Sequence, residues 1–509
     1  MEQLRAFIDT CPLLDHHCHC LMELEPPVTV TSLSDALLGT LTEAHGKARE
    51  HAVHSIAVKR SIRELAAALS ADAMSLEAVA AARLRLGDAA ANQKLFGAAR
   101  ISALLIDDGL RGGVANSADW NWGAGSGGGE GEGGRGEGGA GEGGGSMDEQ
   151  QQGGTSSGGG TKNRRGGRKT GEGDEKQERG DEQQGGEQGE GGRWRWRGVA
   201  WHEGLAPVVR RVLRLETLAE DILVGPAPGG TWTLGSFSKR FHDAIDPPPP
   251  GVVAFKTIAA YRCGLSIDPL VTPAEVELGI QAALASVART SPPSLRLSDP
   301  RVISFCIASA LAVAAKHQMP LQIHCGFGDR DLDLAAANPL CLRPLLEFNE
   351  GLVEEEQRGE AQLGQADREV CSPGSYAAPI VLLHSCYPFT REASYLASVY
   401  STVHLDCGLV FSKLSLLGTK AALVDLLDLA PLNKVMMSTD AVGFAEPYYL
   451  SAMWGRRILF LALSSIVQGG DLTLPEALHV ACGLLHNNAL RLYRLNMPSV
   501  RHPSGPITT

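Results

Sequence analysis

The stretch Leu13-Leu14-Asp15-His16-His17-Cys18-His19-Cys20 decides how the rest of the chain is read. A short apolar run passes without a turn into a dense group of imidazoles and thiols. On an extended backbone His17 and His19 point to the same side, because side chains alternate with period two. Two imidazoles sharing a face are a natural metal pair. With 15 histidines in 509 residues, about 0.4 such pairs arise by chance, so the doublet gains its weight from its company.

That company lies further along. Gln322-Ile323-His324 leads into Cys325-Gly326-Phe327-Gly328-Asp329, and Val381-Leu382-Leu383-His384 into Ser385-Cys386-Tyr387-Pro388. Val435-Met436-Met437 ends in Ser438-Thr439-Asp440. Each run ends in a side chain able to bind a metal or move a proton. Similar short, β-branched runs at Leu13–Asp15, Ile101–Ile106, Val208–Leu213, Gly251–Phe255, Leu321–Ile323, Ile380–Leu383, Val403–Leu405 and Val435–Met437 predict eight strands. Helical patterns separate them, including Val302–His317, Tyr449–Val467 and Leu474–Tyr493. Alternating strands and helices imply an α/β fold with a parallel sheet. Eight of them favour a closed (β/α)8 TIM-type barrel, and no Gly-x-Gly-x-x-Gly turn supports a dinucleotide-binding alternative. In such a barrel the polar strand tips converge on one face, which predicts a metal hydrolase site.

Composition sets the outer limits. The chain is 43% hydrophobic and 20% charged, with a formal net charge of -12. The apolar share is enough for a large core, and the acidic balance argues against a nucleic-acid partner. No uninterrupted run of about 18 apolar residues stands in the sequence, so no membrane span is expected. The amino terminus lacks a basic segment followed by an apolar one, which predicts a cytoplasmic protein, and the 11 cysteines read as reduced thiols.

Gly123–Gly192 holds 30 of the 60 glycines, no Val, Ile, Leu, Phe or Tyr, and a net charge of -6. Such a segment cannot offset its ordering entropy by burial, which predicts a long disordered Gly/Glu-rich loop. Closing a loop of some 80 residues instead of 10 costs only about 2 kcal/mol more, so a barrel can carry it. Residues 31–100 predict a helical insertion after the first strand, covering the active face. The expected organisation is barrel over 1–112, insert over 113–193, barrel again over 194–496 and a tail over 497–509. Residues 347–375, with the run Glu354-Glu355-Glu356, read as a solvated insertion.

The order His-x-His, His, His, Asp resembles the amidohydrolase superfamily. The stretches "LQIHCGFGDRDLDLAAANPLCLRPLLE", "VLLHSCYPFTREASYLASVY" and "KVMMSTDAVGFAEPYYL", with "LLIDDGL", "GLAPVVRRVLRLETLAEDIL" and "VVAFKTIAAYRCGL", are similar to one branch. That branch is the amidohydrolase-related domain preceding a glutamine-synthetase-like domain in plant nodulin/glutamine-synthetase-like and fungal FluG-type proteins. The resemblance implies that His17, His19, His324 and Asp440 bind a divalent metal and that His384 assists catalysis. Zn²⁺ is the first expectation, with Mn²⁺ or Fe²⁺ also suited to such ligands, and one ion is favoured over two. An ion so held lowers the pKa of bound water towards 7, Asp440 accepts the water's proton, and neutral His384 polarises the carbonyl. The sequence stops at Thr509 without a synthetase-like half, so ATP-dependent ligation is not expected.

Three features depart from the branch or extend the site. Cys18 and Cys20 replace a small residue and an Asn, and His16 replaces another small one; Cys20 or Cys325 is an alternative metal ligand. Lys256, closing the fourth run, reads either as a carbamylated bridge between two metals or as an ammonium gripping a substrate carboxylate. Arg262 close behind it favours the latter, and Arg391 reads equally as a further anion-binding residue or as part of a surface salt bridge. Asp107-Asp108 are candidates for orienting His17 or His19. Asp329, Asp331 and Asp333 lack the Gly and terminal Glu of a calcium loop and read as loop acceptors.

The leading expectation is a metal-dependent hydrolase cleaving a C–N bond in a small carboxylate-bearing amide. Metal-assisted decarboxylation of a small acid is the alternative within the same site. A regulatory or scaffold barrel with little turnover is the alternative from another class. A homodimer is the default assembly.

Overall fold

The computed structural model describes residues 1–24, 27–109, 194–351 and 377–502. The Gly/Glu-rich segment, most of the expected insertion after 347 and the last seven residues lie outside them. Eight parallel strands form one sheet: Leu13–His19 (β1), Ile101–Asp107 (β3), Val208–Arg214 (β5), Val252–Thr257 (β6), Leu321–Ile323 (β7), Ile380–Leu382 (β8), Val403–Asp406 (β9) and Val435–Met436 (β10). They pair in chain order, which is the order of a (β/α)8 barrel. A separate antiparallel ribbon joins Met22–Leu24 (β2) to Trp194–Trp196 (β4), a pair the sequence did not announce.

The seam between β10 and β1 is closed beyond the short β10 strand. Asp440 N donates to His17 O at 3.0 Å, and His19 N donates to Ala441 O at 2.8 Å. Below them the buried Asp15 carboxylate accepts from Thr439 N at 2.8 Å. The two segments that carry the first and last polar tips are thus bonded side by side.

Inside the barrel, alternation sorts the side chains into layers. Leu14, Ala103, Leu105, Val212, Ala254, Val381, Leu383 and Met436 form an apolar floor. Two residues on from Leu105, Val212 and Ala254 stand Asp107, Arg214 and Lys256, on the same side of their strands and one layer higher. The floor is plugged from below by the C-terminal turn, with Ala489, Leu490 and Tyr493 packed into it. The expected helix Leu474–Tyr493 is there, helical from Leu474 to Leu492, with one widened π turn at Gly483–Asn487. Just past that turn Asn488 Nδ2 donates to Leu432 O and Val435 O, beside the start of β10.

The expected helical insertion after β1 is present as Val30–Leu41, Arg49–Ala52, Ile56–Leu69 and Leu76–Leu86. It sits against the C-terminal ends of the strands. Arg60 Nη2 donates to Phe411 O at 2.8 Å, Lys413 Nζ to Thr40 O at 3.2 Å, and His45 Nε2 meets Asp329 Oδ1 at 2.9 Å. The next helix, Asp88–Ala99, belongs to the outer layer instead, where Phe96 packs its ring 4.9 Å from that of Tyr448.

Among the described residues, one helix, Ala445–Gly469, is long and apolar enough to cross a membrane. It is the last outer helix of the barrel and is mostly buried against it. A buried ion pair holds its start, with both carboxylate oxygens of Glu446 receiving Arg83 Nη1 at 2.7 and 2.8 Å.

Candidate active site

The site is built on β1. A register shift between Asp15 and Cys18 interrupts the pairing with β3. The bulge lets neighbouring His16 and His17 both bond to groups inside the barrel, which strict alternation forbids. His17 Nδ1 lies 2.8 Å from Gln322 Oε1, and His19 Nδ1 lies 3.0 Å from the carbonyl of Asp107.

Those two contacts decide which nitrogen carries the proton. A carbonyl only accepts, so His19 Nδ1 is the donor. Gln322 Nε2 donates to the carbonyl of His16 at 2.9 Å, which fixes the amide and leaves Oε1 as acceptor. His17 Nδ1 is therefore also N–H. Burial, with the Lys256 charge beside it, pulls His17 down to about 4, so this ring is neutral near pH 7.

The two Nε2 atoms converge on one carboxylate oxygen. Asp440 Oδ1 is 3.2 Å from His17 Nε2 and 3.3 Å from His19 Nε2. Although burial pushes Asp440 up, His384, His17 and His19 hold it well below the ordinary carboxylate range. Two ring nitrogens and an anionic carboxylate oxygen converge in one buried cradle. His324 Nε2, His384 Nδ1 and Asp440 Oδ1 are moreover buried without a hydrogen-bond partner among the described residues. Such a set of acceptors fits a divalent cation.

His384 is closer to this cradle than its expected role implied. Its Nδ1 is 3.5 Å from Asp440 Oδ2, and His17, His384 and Asp440 offer ligand atoms within 4.8 Å of one another. The chain turns it inward through His384, Ser385 and Cys386, at φ of 64°, 55° and 48°. His324 stands behind, its ring 4.4 Å from that of His384 and 4.5 Å from that of Tyr261. A second group, His17, His19 and Asp107, also brings its ligand atoms within 4.8 Å of one another. Arg214 occupies that carboxylate, with Nη2 at 2.7 Å from Asp107 Oδ2, so the Asp440 side is the open one. Neither group contains a cysteine. Cys18 points its thiol at Leu105 O, and Cys325 points at Ile323 O, which is where small buried thiols belong.

Lys256 enters the same cradle. Its buried Nζ is 3.3 Å from His17 Nε2, and burial lowers it to about 8. Gly328 keeps the front open, because a Cβ there would collide with the Tyr261 hydroxyl and stand 3.3 Å from His324 Nε2.

The structure pairs the two candidate arginines with other carboxylates, and for Arg391 it shows the surface salt bridge that was the equal alternative. Arg262 turns back to the outer helix Leu215–Val224, pairing with Glu220 at 3.1 Å. Arg391 is 81% exposed and bonded to Asp425 on a neighbouring outer helix. Asp107 orients His19 through its backbone carbonyl, whereas Asp108 pairs with Arg211 at 2.8 Å. Asp333 caps Ala335 N and Ala336 N, as a loop acceptor does. Gln322, Tyr261 and Asp406 were not foreseen. The signal for Gln322 was a lone polar residue inside the run Leu321-Gln322-Ile323.

No family model matches the chain. The chain is similar to Protein fluG of Emericella nidulans, 32% identical over 329 residues that make up 60% of this chain and 35% of that protein. The chain thus aligns with about a third of that relative's length. Among solved structures it is similar to a provisionally named metal-dependent hydrolase from Lactobacillus casei, with TM-score 0.64, 22% identity and 97% of each chain covered. The uronate isomerase of Thermotoga maritima follows at TM-score 0.50 and 12% identity, covering 96% of each chain. At these identities the structural likenesses carry the barrel fold.

Proposed function

We propose that the chain is a metal-dependent hydrolase of the amidohydrolase type, cleaving the C–N bond of a small carboxylate-bearing amide. The observation that carries this reading is the convergence of Nε2 of His17 and His19 on Oδ1 of Asp440 in a buried cradle. His17, His19 and Asp440 would hold the ion, with one of His384 and His324 completing the set and the other left free beside it. A divalent ion bound there supplies Lewis acidity and a water-derived nucleophile near neutral pH.

The chain's own groups do the rest. Asp440 takes the proton that water loses on attacking the carbonyl carbon and passes it to the leaving nitrogen as the C–N bond breaks. A neutral imidazole from His384 or His324 holds the carbonyl oxygen as charge develops on it. Lys256 supplies the cation for a substrate carboxylate. The cap over the strand ends limits water and selects the side chain of the substrate.

The test is metal content and turnover of the wild-type protein beside Asp440→Asn. Asn also accepts the left-handed backbone of this position, where φ is 49°, so the fold is kept. One equivalent of metal in the wild type, and amine or ammonia release falling by about 10²–10⁴-fold in the variant, are expected. Retained turnover removes the proton role of Asp440. Release of CO₂ instead of amine replaces hydrolysis by decarboxylation. No bound metal after incubation with Zn²⁺, Mn²⁺ or Fe²⁺ leaves the scaffold reading.

A further inference from the structure

Beside Lys256 stands a second buried cation that the hydrolytic reading does not use. Arg214 closes β5, and its Cα pairs in register with that of Lys256 near the end of β6. Side chains at paired positions project from the same face of a sheet, so guanidinium and ammonium rise side by side in one layer. The layer continues to Asp107 on β3, whose Oδ2 receives Arg214 Nη2 at 2.7 Å and lies 4.0 Å from His19 Nδ1. A single carboxylate therefore separates the guanidinium from the cradle.

The guanidinium is fixed in place without exhausting its donors. Nε reaches both oxygens of Asp107 at 3.2 Å and Nη2 takes Oδ2, while the Gly109 amide donates to Oδ1 at 3.0 Å. A Cβ on Gly109 would lie 2.5 Å from Arg214 Cδ and Nε, so only glycine lets the backbone press on the arginine stem here. The remaining edge is Nη1. It has no hydrogen-bond partner among the described residues, yet it is not one of the unpartnered polar atoms sealed from water. The side chain is 7% exposed, so a nearly buried arginine keeps one open donor edge. Such a fork has given up its rotamer freedom before any anion arrives, which favours binding. Asp107 balances one of the two cations, and Lys256 has no carboxylate in salt-bridge range among the described residues.

We propose that Arg214 and Lys256 together form the seat of the substrate carboxylate, with Nη1 of Arg214 meeting one oxygen and Nζ of Lys256 the other. The inference deepens the hydrolytic reading and rests on it for the reaction that follows binding. Because Lys256 Nζ is 3.3 Å from His17 Nε2, a carboxylate in this seat lies directly against the cradle. Only a short carbon chain can join it to a carbonyl placed there. The seat therefore selects the monoamide of a short dicarboxylic acid over a long-chain or uncharged amide. Arg214 is the specificity-determining residue, since its planar fork offers a carboxylate oxygen a direction as well as a charge.

Calorimetric titration of the full chain, both Zn²⁺-loaded and metal-free, with succinate and with succinamide reads the seat with and without an ion competing for the carboxylate. The wild type should bind succinate at least about tenfold more tightly than succinamide, as charge-assisted bonds require. Arg214→Lys keeps a cation for Asp107 but loses the fork, so succinate should bind about tenfold more weakly while succinamide is unmoved. A guanidinium that serves only to neutralise Asp107 would shift the unfolding midpoint and leave the succinate preference alone. That result overturns the proposal, as does a wild type that binds succinate no better than succinamide. Should Arg214→Lys not fold, the pair Asp107→Asn with Arg214→Met removes both charges together and must weaken succinate as much; unchanged succinate binding there overturns the proposal equally. Metal uptake and amine release by the wild type are measured separately. A succinate preference without them removes the hydrolase reading and leaves the seat standing, and hydrolysis without the preference does the reverse.

Discussion

Lys256 Nζ lies 3.3 Å from Nε2 of His17, so a buried ammonium is aimed at the ring nitrogen a metal would use. The two groups cannot both be cations at that distance without a large cost, and the neutral state of His17 settles which one yields. A metal bound there would take the His17 nitrogen and leave the Lys256 ammonium without its imidazole partner, free to meet a substrate carboxylate.

That freed ammonium makes Lys256→Met informative. We expect the variant to keep one equivalent of bound metal while KM for carboxylate-bearing substrates rises tenfold or more, since a charge-assisted bond of about 1.5–3 kcal/mol is lost. KM for the matching uncharged amide should stay as it was. Loss of metal with the lysine, together with dependence of metal content on added bicarbonate, would instead mean a carbamylated lysine bridging two ions.

The barrel and its polar tips were legible because parallel strands buried on both faces read as apolar runs, and a polar residue ending such a run stands out. Positions 17, 19, 256, 384 and 440 came together in this way, with 324 beside them. What escaped was anything whose direction depends on local geometry. The bulge after Asp15 brings His16 inside, which no alternation rule allows. Gln322 hides within an apolar run, and Tyr493, at the end of the last helix, packs into the floor of the barrel. Arg262 was misread for the opposite reason. It is near Lys256 in sequence, but Glu220 behind the strand draws its side chain away. Arg391 likewise turns outward to Asp425.

The cap is anchored to the barrel by a buried charge pair, and its removal should cost stability. Arg83 is 3% exposed, gives two bonds to Glu446, and spends its other nitrogen on Asp88 at 2.6 Å and Asn92 at 2.8 Å. Arg83→Leu leaves the Glu446 carboxylate buried without its partner. A loss of about 3–5 kcal/mol in denaturant unfolding is expected, because an orphaned buried charge is far more costly than the pair is favourable. The double variant Arg83→Leu, Glu446→Leu should recover much of that loss. A single variant as stable as the wild type would show that the carboxylate finds solvent, and the cap would then be more loosely seated than its hydrogen bonds indicate.

His202 gives the structure a pH dependence of defined sign. Its Nε2 accepts from Leu21 N at 2.9 Å, just past the metal-facing end of β1, while Nδ1 faces the carbonyls of Gly198 and Val199 at 3.1 and 3.2 Å. The ring must therefore be neutral to serve the Leu21 amide, and burial lowers it from 6.5 to about 4. Below pH 6.5 the unfolded chain takes up a proton that the folded chain refuses, so stability falls as pH drops from 6.5 to 4 and this contribution is lost below that. It is fully present above 6.5. A shift of this size corresponds to about 3 kcal/mol at most. His202→Gln keeps an acceptor for Leu21 and has nothing to titrate, so the stability gap between wild type and variant in urea should shrink by up to that amount between pH 7 and pH 4. Parallel stability curves across that range would show that His202 is protonated in the folded protein and that the Leu21 amide bonds elsewhere.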